Sequence, residues 1–299
     1  MSKIISVFGA TGAQGGSVAR ALLKAGYQVR ALTRDTESEA SKKLKDAGAQ
    51  LVKSDTSASE AEIQKSLEGS YGVFLVTTFS LPDNKEFEQG SKVAEAALKA
   101  NVKHFVFSGL SPANQISGGK LHVPHFDEKH KVEQYLRNLS KANPQFVSSF
   151  VYAPFYLQNF NSYFKLTKND DGSYTISMPQ DPKVPIDLGD VNDIGPIVAE
   201  QFQHPEKYSG KVVPFSGSYL TGDEIAKAFS KVTGKTVHYN FIPPSVYATF
   251  YPGAQEMAAM FEFYIQFGAF YQLDKTIAHS ITKLNTLEDF LKSTNFKLE

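Results

Sequence analysis

The chain has 299 residues, with 31 Lys plus Arg balanced by 31 Asp plus Glu, and no cysteine. Zero net charge excludes the bulk attraction that direct nucleic-acid or acidic-membrane binding draws on, and the lack of cysteine excludes disulfides, thiol catalysis and Cys-type zinc sites while suiting a reducing compartment. The length accommodates one large domain or a nucleotide-binding domain with a smaller lobe. Because Met1-Ser2-Lys3 runs straight into an apolar segment, neither a signal peptide nor a membrane span is expected; the expected location is the cytoplasm, with the nucleus also open.

The first element is the apolar run Ile4-Ile5-Ser6-Val7-Phe8, read as a buried strand. It leads into Gly9-Ala10-Thr11-Gly12-Ala13-Gln14-Gly15-Gly16 and then the helix pattern Ser17 to Ala25, with Gly26 placed to stop it. Strand, glycine turn and helix in that order form a phosphate cradle: the backbone approaches a pyrophosphate closely, and the helix offers unpaired N–H groups and the positive end of its dipole. The spacing is Gly-x-x-Gly-x-x-Gly, which points to the short-chain dehydrogenase/reductase branch of the Rossmann folds.

Strands are expected next at 28–33, 50–53, 73–77 and 104–107, alternating with helices near 41–47, 60–67 and 85–100. A helix at 125–142 and a strand at 146–152 follow. These short apolar runs predict an α/β fold, a Rossmann-type doubly wound parallel sheet covered by helices. After Pro154 the character changes, with a turn at Asn169-Asp170-Asp171-Gly172, a short strand at 174–178 and frequent prolines. Residues 1–154 are therefore read as the NAD(P)-binding domain. Residues 155–299 are read as a smaller lobe over the cofactor cleft, with segments returning to the sheet. Thr221-Gly222-Asp223-Glu224 and Thr286-Leu287-Glu288-Asp289 each open a helix. The aromatic stretch from Tyr247 to Tyr271 reads either as packing or as a substrate or partner surface.

Strand two ends at Thr33-Arg34-Asp35, about twenty residues beyond the glycines, where the adenosine ribose is read. Arg34 there favours a 2′-phosphate and hence NADP(H), with NAD(H) still open because Asp35, Glu37 and Glu39 add negative charge. Asp55, after strand three, either contacts the adenine amino group or caps the next helix.

In short-chain dehydrogenases a serine at the end of strand five is followed by Tyr-x-x-x-Lys on the next helix. Here Ser108 holds the serine position, but the helix carries His125-Phe126-Asp127-Glu128-Lys129. Spacing of four puts His125 and Lys129 on one helix face. An imidazole is capable of general acid chemistry near neutrality, although a nearby lysine disfavours its cationic form; the other reading is a histidine that packs or hydrogen-bonds. Ser108, His125 and Lys129 are thus the catalytic candidates. Tyr271-Gln272-Leu273-Asp274-Lys275 repeats the motif in the carboxy-terminal part, which reads as coincidence. His122, His125 and His130 lack the spacing of a metal face, so no metal is expected.

Together the glycine run, Phe107-Ser108-Gly109-Leu110, His125-Phe126-Asp127-x-Lys129, Pro154 to Phe160, Val184 to Asp187 and Asp193 to Pro196 resemble the NmrA-like family of atypical short-chain dehydrogenases, closest to its redox-sensor branch. The resemblance extends over nearly the whole chain. It implies a Rossmann protein that binds NADP(H) and works as a sensor or co-regulator through a protein partner, with a homodimer open. It further implies that Gly9, Ala10, Thr11, Gly12, Ala13 and Gln14 hold the pyrophosphate and Arg34 the 2′-phosphate. Thr77, Thr78 and Phe79 would form the loop after strand four, Lys129 would contact the ribose, and Tyr156, Leu157, Gln158 and Asn159 would line the nicotinamide side. The chain departs from the branch at Ser38 and Glu88, where the branch carries basic residues. Two functions follow as expectations: a dinucleotide-responsive regulator, favoured by the missing tyrosine, and an NAD(P)H-dependent reductase of quinones or small carbonyl compounds as the small-molecule alternative.

Overall fold

The computed structural model describes residues 2–80 and 84–298. In chain order the elements are β1 (Ile4–Val7), α1 (Ala13–Lys24), β2 (Gln28–Thr33), α2 (Glu39–Asp46), β3 (Gln50–Lys53), α3 (Glu60–Leu67), β4 (Gly72–Leu75), α4 (Glu86–Lys99) and β5 (His104–Gly109). Next come α5 (Ala113–Ile116), α6 (Pro124–Ala142), β6 (Val147–Tyr152), β7 (Phe155–Tyr156), β8 (Thr167–Lys168), β9 (Tyr174–Met178), β10 (Ile186–Gly189), α7 (Ile194–Gln203), α8 (Pro205–Tyr208) and β11 (Val212–Pro214). The chain closes with β12 (Ser218–Leu220), α9 (Gly222–Thr233), β13 (Val237–Phe241), α10 (Pro244–Tyr247), α11 (Ala254–Phe267), α12 (Thr276–Ile281) and α13 (Leu287–Ser293).

Two compact units result. The first gathers Met1–Leu110, Glu128–Tyr152 and Asn192–Val213; the second gathers Ser111–Asp127, Ala153–Val191 and Pro214–Glu299.

The first unit is built on a seven-stranded sheet in the order β11-β6-β5-β4-β1-β2-β3. β1 to β6 pair in parallel. The central strands β4 and β5 are buried along their whole length, whereas the edge strand β3 is not, the gradient expected of a sheet covered by helices. Close helix packing depends on small residues. A Cβ on Gly195 of α7 would lie 2.5 Å from the Ser17 carbonyl of α1, and one on Gly90 of α4 would lie 2.5 Å from the Val132 side chain of α6. Ser17 Oγ adds a hydrogen bond to the Asn192 carbonyl at 2.9 Å and accepts the Gly195 N–H at 3.2 Å.

Helix α1 begins at Ala13, four residues before the apolar pattern, because Gly15 and Gly16 belong to the helix and not to the turn. A Cβ on Gly15 would lie 2.2 Å from the Gly9 carbonyl oxygen, so glycine here permits the helix to start against the end of β1. β4 stops at Leu75, before the expected Thr77, and β5 continues to Gly109, which places Ser108 within the strand opposite Val151.

The second unit carries two small sheets, β12-β10-β7 and β13-β9-β8. Both predicted helix starts are present at Thr221 and Thr286, and each is a capping box, the hydroxyl accepting the N3 N–H while the N3 carboxylate returns to the cap. The core is aromatic, with Phe155, Phe164 and Phe261 in mutual contact and Phe160 edge-on to Phe229. Of the aromatic stretch, Phe261, Phe263 and Tyr264 on α11 are buried, while Phe250 and Tyr251 before it are exposed. Within this unit Ser111 donates its hydroxyl to the Ala269 carbonyl at 2.7 Å, and Phe126 packs on Phe263 and Tyr264. Among the described residues no helix is long and apolar enough to cross a membrane.

His104 at the start of β5 is fully buried, with Nε2 2.7 Å from Ser149 Oγ and its ring edge-on to Phe202. Burial, with a smaller contribution from Lys3, pushes its pKa down to about 3. The unfolded chain therefore takes up a proton below its ordinary value of about 6.5 that the folded chain refuses, so this group costs stability as pH falls, by up to about 1.4 kcal/mol per pH unit. Urea unfolding between pH 6 and pH 4 is expected to show a shallower loss of stability in His104→Gln than in the wild type; parallel slopes would remove His104 as the cause.

Candidate functional site

β1 delivers the chain to Gly9, whose φ of +62° lies in the left-handed region that glycine occupies without a Cβ clash. The turn is fastened to its neighbours by Phe8 N–H to the Phe74 carbonyl at 3.0 Å and Ala10 N–H to the Leu32 carbonyl at 3.4 Å. Gly12 then occupies the N-cap of α1, and no side chain caps that end. Gly9, Thr11, Gly12 and Ala13 are exposed, Gln14 is half-buried and Ala10 is buried. An uncapped twelve-residue helix with exposed glycine backbone in front directs N–H groups and a positive dipole end at one place, the arrangement that takes an anion such as a pyrophosphate. The two inner glycines differ in what they serve. Gly12 has an ordinary backbone, and a Cβ on it would meet only the Gly9 carbonyl at 3.3 Å, whereas one on Gly15 would overlap the turn itself.

Arg34 stands exposed at the end of β2. The acids beside it have partners of their own. Asp35 accepts the Glu37 N–H at 2.8 Å, Glu37 lies 3.8 Å from Lys42, and Glu39 pairs with Lys43 at 2.6 Å. Asp55 does not cap α3; Ser59 does, in a full capping box with Glu62. The Asp55 carboxylate instead accepts the Ser57 N–H at 2.7 Å and the Ser57 hydroxyl at 2.5 Å. Burial alone would raise its pKa, but those hydrogen bonds and the charge of Arg34 together hold it below the usual carboxylate range. Arg34 and Asp55 are thus in electrostatic reach of each other.

After β4, Thr77 is buried, Thr78 exposed and Phe79 half-buried. Thr77 donates its hydroxyl to Glu86 at the start of α4, and the Lys129 ammonium on α6 donates to the same carboxylate oxygen. The Glu86 and Lys129 side chains are 0% and 9% exposed, which makes this a buried ion pair. Ser108 Oγ donates to Gln14 Oε1 at 2.7 Å, joining β5 to the first turn of α1. Along α6, Glu133 accepts the Tyr152 hydroxyl at 2.5 Å and Arg137 Nε at 2.9 Å. Burial, and then the Glu133 carboxylate, push the Tyr152 pKa well up, so this tyrosine stays neutral and does not stand in for the absent catalytic one.

In the second unit His125 pairs through Nδ1 with Glu256 of α11. The other two histidines of this stretch go elsewhere: His122 lies 3.5 Å from Asp127, and His130 contacts Gln134 at 3.2 Å. Tyr156 and Asn159 are half-buried and Leu157 is fully buried. Gln158 donates to Asp190 at 2.7 Å and accepts the Val191 N–H at 3.1 Å. Lys275, the lysine of the second Tyr-x-x-x-Lys, pairs with Asp187 at 2.8 Å and lies over the Tyr219 ring, while Tyr271 contacts Phe267.

Sequence reasoning missed Glu86, Glu133 and Glu256. Glu133 carried a signal, since Lys129, Glu133 and Arg137 recur at four-residue spacing on one helix face. Glu86 and Glu256 lie 43 and 131 positions from the residues they bind, and nothing local marks them.

The model of the NmrA-like family matches residues 1–291. The chain belongs to the NmrA-like family. It is 45% identical to an NmrA-like family domain-containing protein of Dictyostelium discoideum over 100% of both chains. An NmrA-like family domain-containing oxidoreductase of a Cladobotryum species is 35% identical over 82% of this chain and 78% of its own. Among solved structures, NmrA, a negative transcriptional regulator, in complex with NADP superposes with a TM-score of 0.81, at 23% identity over 97% of this chain and 94% of that one. That likeness is one of fold: the NmrA-like Rossmann architecture, with its parallel sheet and flanking helices, is shared.

Proposed function

We propose that this NmrA-like protein binds a nicotinamide dinucleotide, NADP(H) in preference to NAD(H), and acts as a redox-responsive regulator through a protein partner. The observation that carries the regulator reading is the absence of the dehydrogenase tyrosine beside a lysine and a serine that are engaged by other side chains. Ser108 donates to Gln14, and Lys129 is paired with buried Glu86. No tyrosine occupies position 125, and buried Tyr152 is held neutral by burial and Glu133. The family supports the same reading, since a structural relative is a negative transcriptional regulator seen with NADP.

When bound, the dinucleotide supplies the redox chemistry; the chain supplies recognition. Gly9 to Gln14 receive the pyrophosphate at the N-terminus of α1, and Arg34, its acidic neighbours each engaged elsewhere, receives the 2′-phosphate. Asp55, within electrostatic reach of Arg34, would meet the adenine, and Lys129 would contact the ribose.

The second reading is a reductase of quinones or small carbonyl compounds, and the His125–Glu256 pair favours it. A carboxylate on Nδ1 fixes the imidazole's orientation and tautomer, as the carboxylate behind a catalytic histidine does. The Cladobotryum relative's designation as an oxidoreductase points the same way.

An NADPH titration beside an NADPH-consumption screen over quinones and aldehydes separates the two. Tight binding without turnover supports the regulator. Turnover that falls by about 10²–10⁴-fold in His125→Ala, with NADPH affinity preserved, would make the protein a histidine-dependent reductase.

The cradle has its own test. Gly12→Val, whose Cβ lies 3.3 Å from the Gly9 carbonyl, is expected to fold with a lower melting temperature and to lose NADPH binding, whereas Gly15→Val, at 2.2 Å from the same oxygen, is expected not to fold. Unchanged affinity in folded Gly12→Val would refute the cradle.

Arg34→Ala is expected to weaken NADPH by about 1.5–3 kcal/mol, the worth of a hydrogen bond to a charged group, and NADH far less. Equal losses for the two cofactors in calorimetric titrations would show that Arg34 does not read the phosphate.

A further inference from the structure

We propose that Asp55 is a specificity-determining residue of the dinucleotide site: its carboxylate opposes a 2′-phosphate at Arg34 and so sets the ratio in which NADPH and NADH bind. This rests on the reading of Arg34 as the 2′-phosphate contact, and it goes beyond an adenine contact, which the two dinucleotides would share.

Both residues belong to the first unit and leave its sheet from neighbouring strands. β2 and β3 pair in parallel with Thr33 opposite Lys53, and the pairing runs one step further, the Ser54 N–H donating to the Thr33 carbonyl at 3.1 Å. Arg34 follows Thr33 and Asp55 follows Ser54, so the two backbones part about one strand spacing, about 4.8 Å, from each other. Each is tied down just beyond that point. The Asp35 carbonyl accepts the Ser41 hydroxyl at 2.5 Å and the Ser38 hydroxyl at 3.2 Å, while Asp55 Oδ1 accepts the Ser57 N–H at 2.7 Å and the Ser57 hydroxyl at 2.5 Å. Hydrogen bonds to a carboxylate favour its ionised form, and the charge of Arg34 works in the same direction.

The acids of the α2 side are differently placed. Glu37 lies 3.8 Å from Lys42 and Glu39 pairs with Lys43 at 2.6 Å, so each brings a cation with it, and the Asp35 carboxylate is turned to the Glu37 N–H. NADPH carries a phosphate monoester, about −1.5 to −2 charges near neutrality, where NADH has a neutral hydroxyl. Asp55 therefore discriminates between them: it draws on the guanidinium that the phosphate needs and repels the phosphate itself. Adenine, pyrophosphate and nicotinamide are common to both ligands, so an adenine contact cancels in the ratio of their affinities. Two unit charges about 4 Å apart in water are worth about a factor of five, and a doubly charged phosphate at twice that distance is worth the same, which sets the effect of the Asp55 charge at about three- to tenfold.

The test is the ratio of NADPH to NADH affinity, measured by calorimetric titration of the full-length protein. Asp55→Asn keeps an acceptor oxygen for Ser57 while removing the charge, and is expected to raise the ratio about three- to tenfold over wild type at about 0.1 M salt. At about 1 M salt, where the screening length falls from about 10 Å to about 3 Å, the gain is expected to drop below about twofold. Glu37→Gln, which removes an acid that has Lys42 beside it, is expected to leave the ratio within about twofold of wild type. A fall of both affinities by one factor in Asp55→Asn would leave Asp55 an adenine contact alone and overturn the proposal, as would a gain that ignores salt or an equal gain in Glu37→Gln. A ratio that collapses in Arg34→Ala but stays at the wild-type value in Asp55→Asn overturns the role of Asp55 and spares that of Arg34. A ratio unchanged in Arg34→Ala overturns the phosphate reading of Arg34 and this proposal with it, and failure of the wild type to bind either dinucleotide overturns the dinucleotide reading and everything built on it. Should circular dichroism show that Asp55→Asn does not fold, Asp55→Ser decides on the same ratio, because a serine hydroxyl accepts the same N–H two residues on.

Discussion

The nucleotide-binding unit depends on one close approach, that of helix α1 to the Gly9 carbonyl at the end of β1. Only a residue without a side chain fits at position 15, where a Cβ would lie 2.2 Å from that oxygen. Starting the helix there has several consequences. The N-cap falls on Gly12, so the helix end is uncapped and exposed. Gln14, in the first turn, reaches Ser108 on β5. Further along, Ser17 meets α7 closely enough for its hydroxyl to bond Asn192 and Gly195. A helix that began at Ser17 would shift each of these contacts by about a full turn, about 5.4 Å along the axis.

The second organising feature is the distribution of buried charge. Glu86, Lys129 and Glu133 all sit in the first unit with almost no exposure. Such pairs are poor sources of stability, because removing two charges from water costs nearly as much as their attraction returns. Losing one partner is another matter, at about 3–5 kcal/mol for the uncompensated charge left behind. The arrangement therefore stabilises one set of partners against others more than it stabilises folding. In this unit it fixes which oxygen Lys129 meets and keeps Tyr152 neutral.

Much of the fold was legible because its signals are local. Strands 28–33, 50–53 and 174–178 and the helix 60–67 coincide with the structure, since short apolar runs bounded by turn residues leave few alternatives. The helix starts at Thr221 and Thr286 were equally readable, being patterns of four consecutive residues. The start of α1 was misplaced because glycine is ambiguous in sequence: Gly15 looks like turn material, and only the carbonyl it packs against reveals a helical residue. The site was legible in its backbone parts and opaque in its charge pairing. Arg34 and Lys129 are named by motif position, but their surroundings are set by residues remote in the chain. Asp55 illustrates the limit. Sequence offers a helix cap or an adenine contact, and Ser59 takes the cap, with Glu62 completing a box.

The loss of the tyrosine changes what the remaining motif residues are for. With a tyrosine at position 125, a lysine four residues on serves to lower its pKa, and a carboxylate that neutralised that lysine would work against the chemistry. With histidine there, positive charge beside it would disfavour the imidazolium. In this chain the Lys129 charge is met by Glu86 and the His125 ring by Glu256, so each member of the old motif has been given a carboxylate of its own. The spacing of the dehydrogenase motif survives, but the coupling between its two side chains need not. On the proposed reading, that decoupling would let one scaffold keep dinucleotide contacts while the demand for a proton donor at position 125 is relaxed. It also accounts for why the motif read from sequence predicts binding more securely than it predicts turnover.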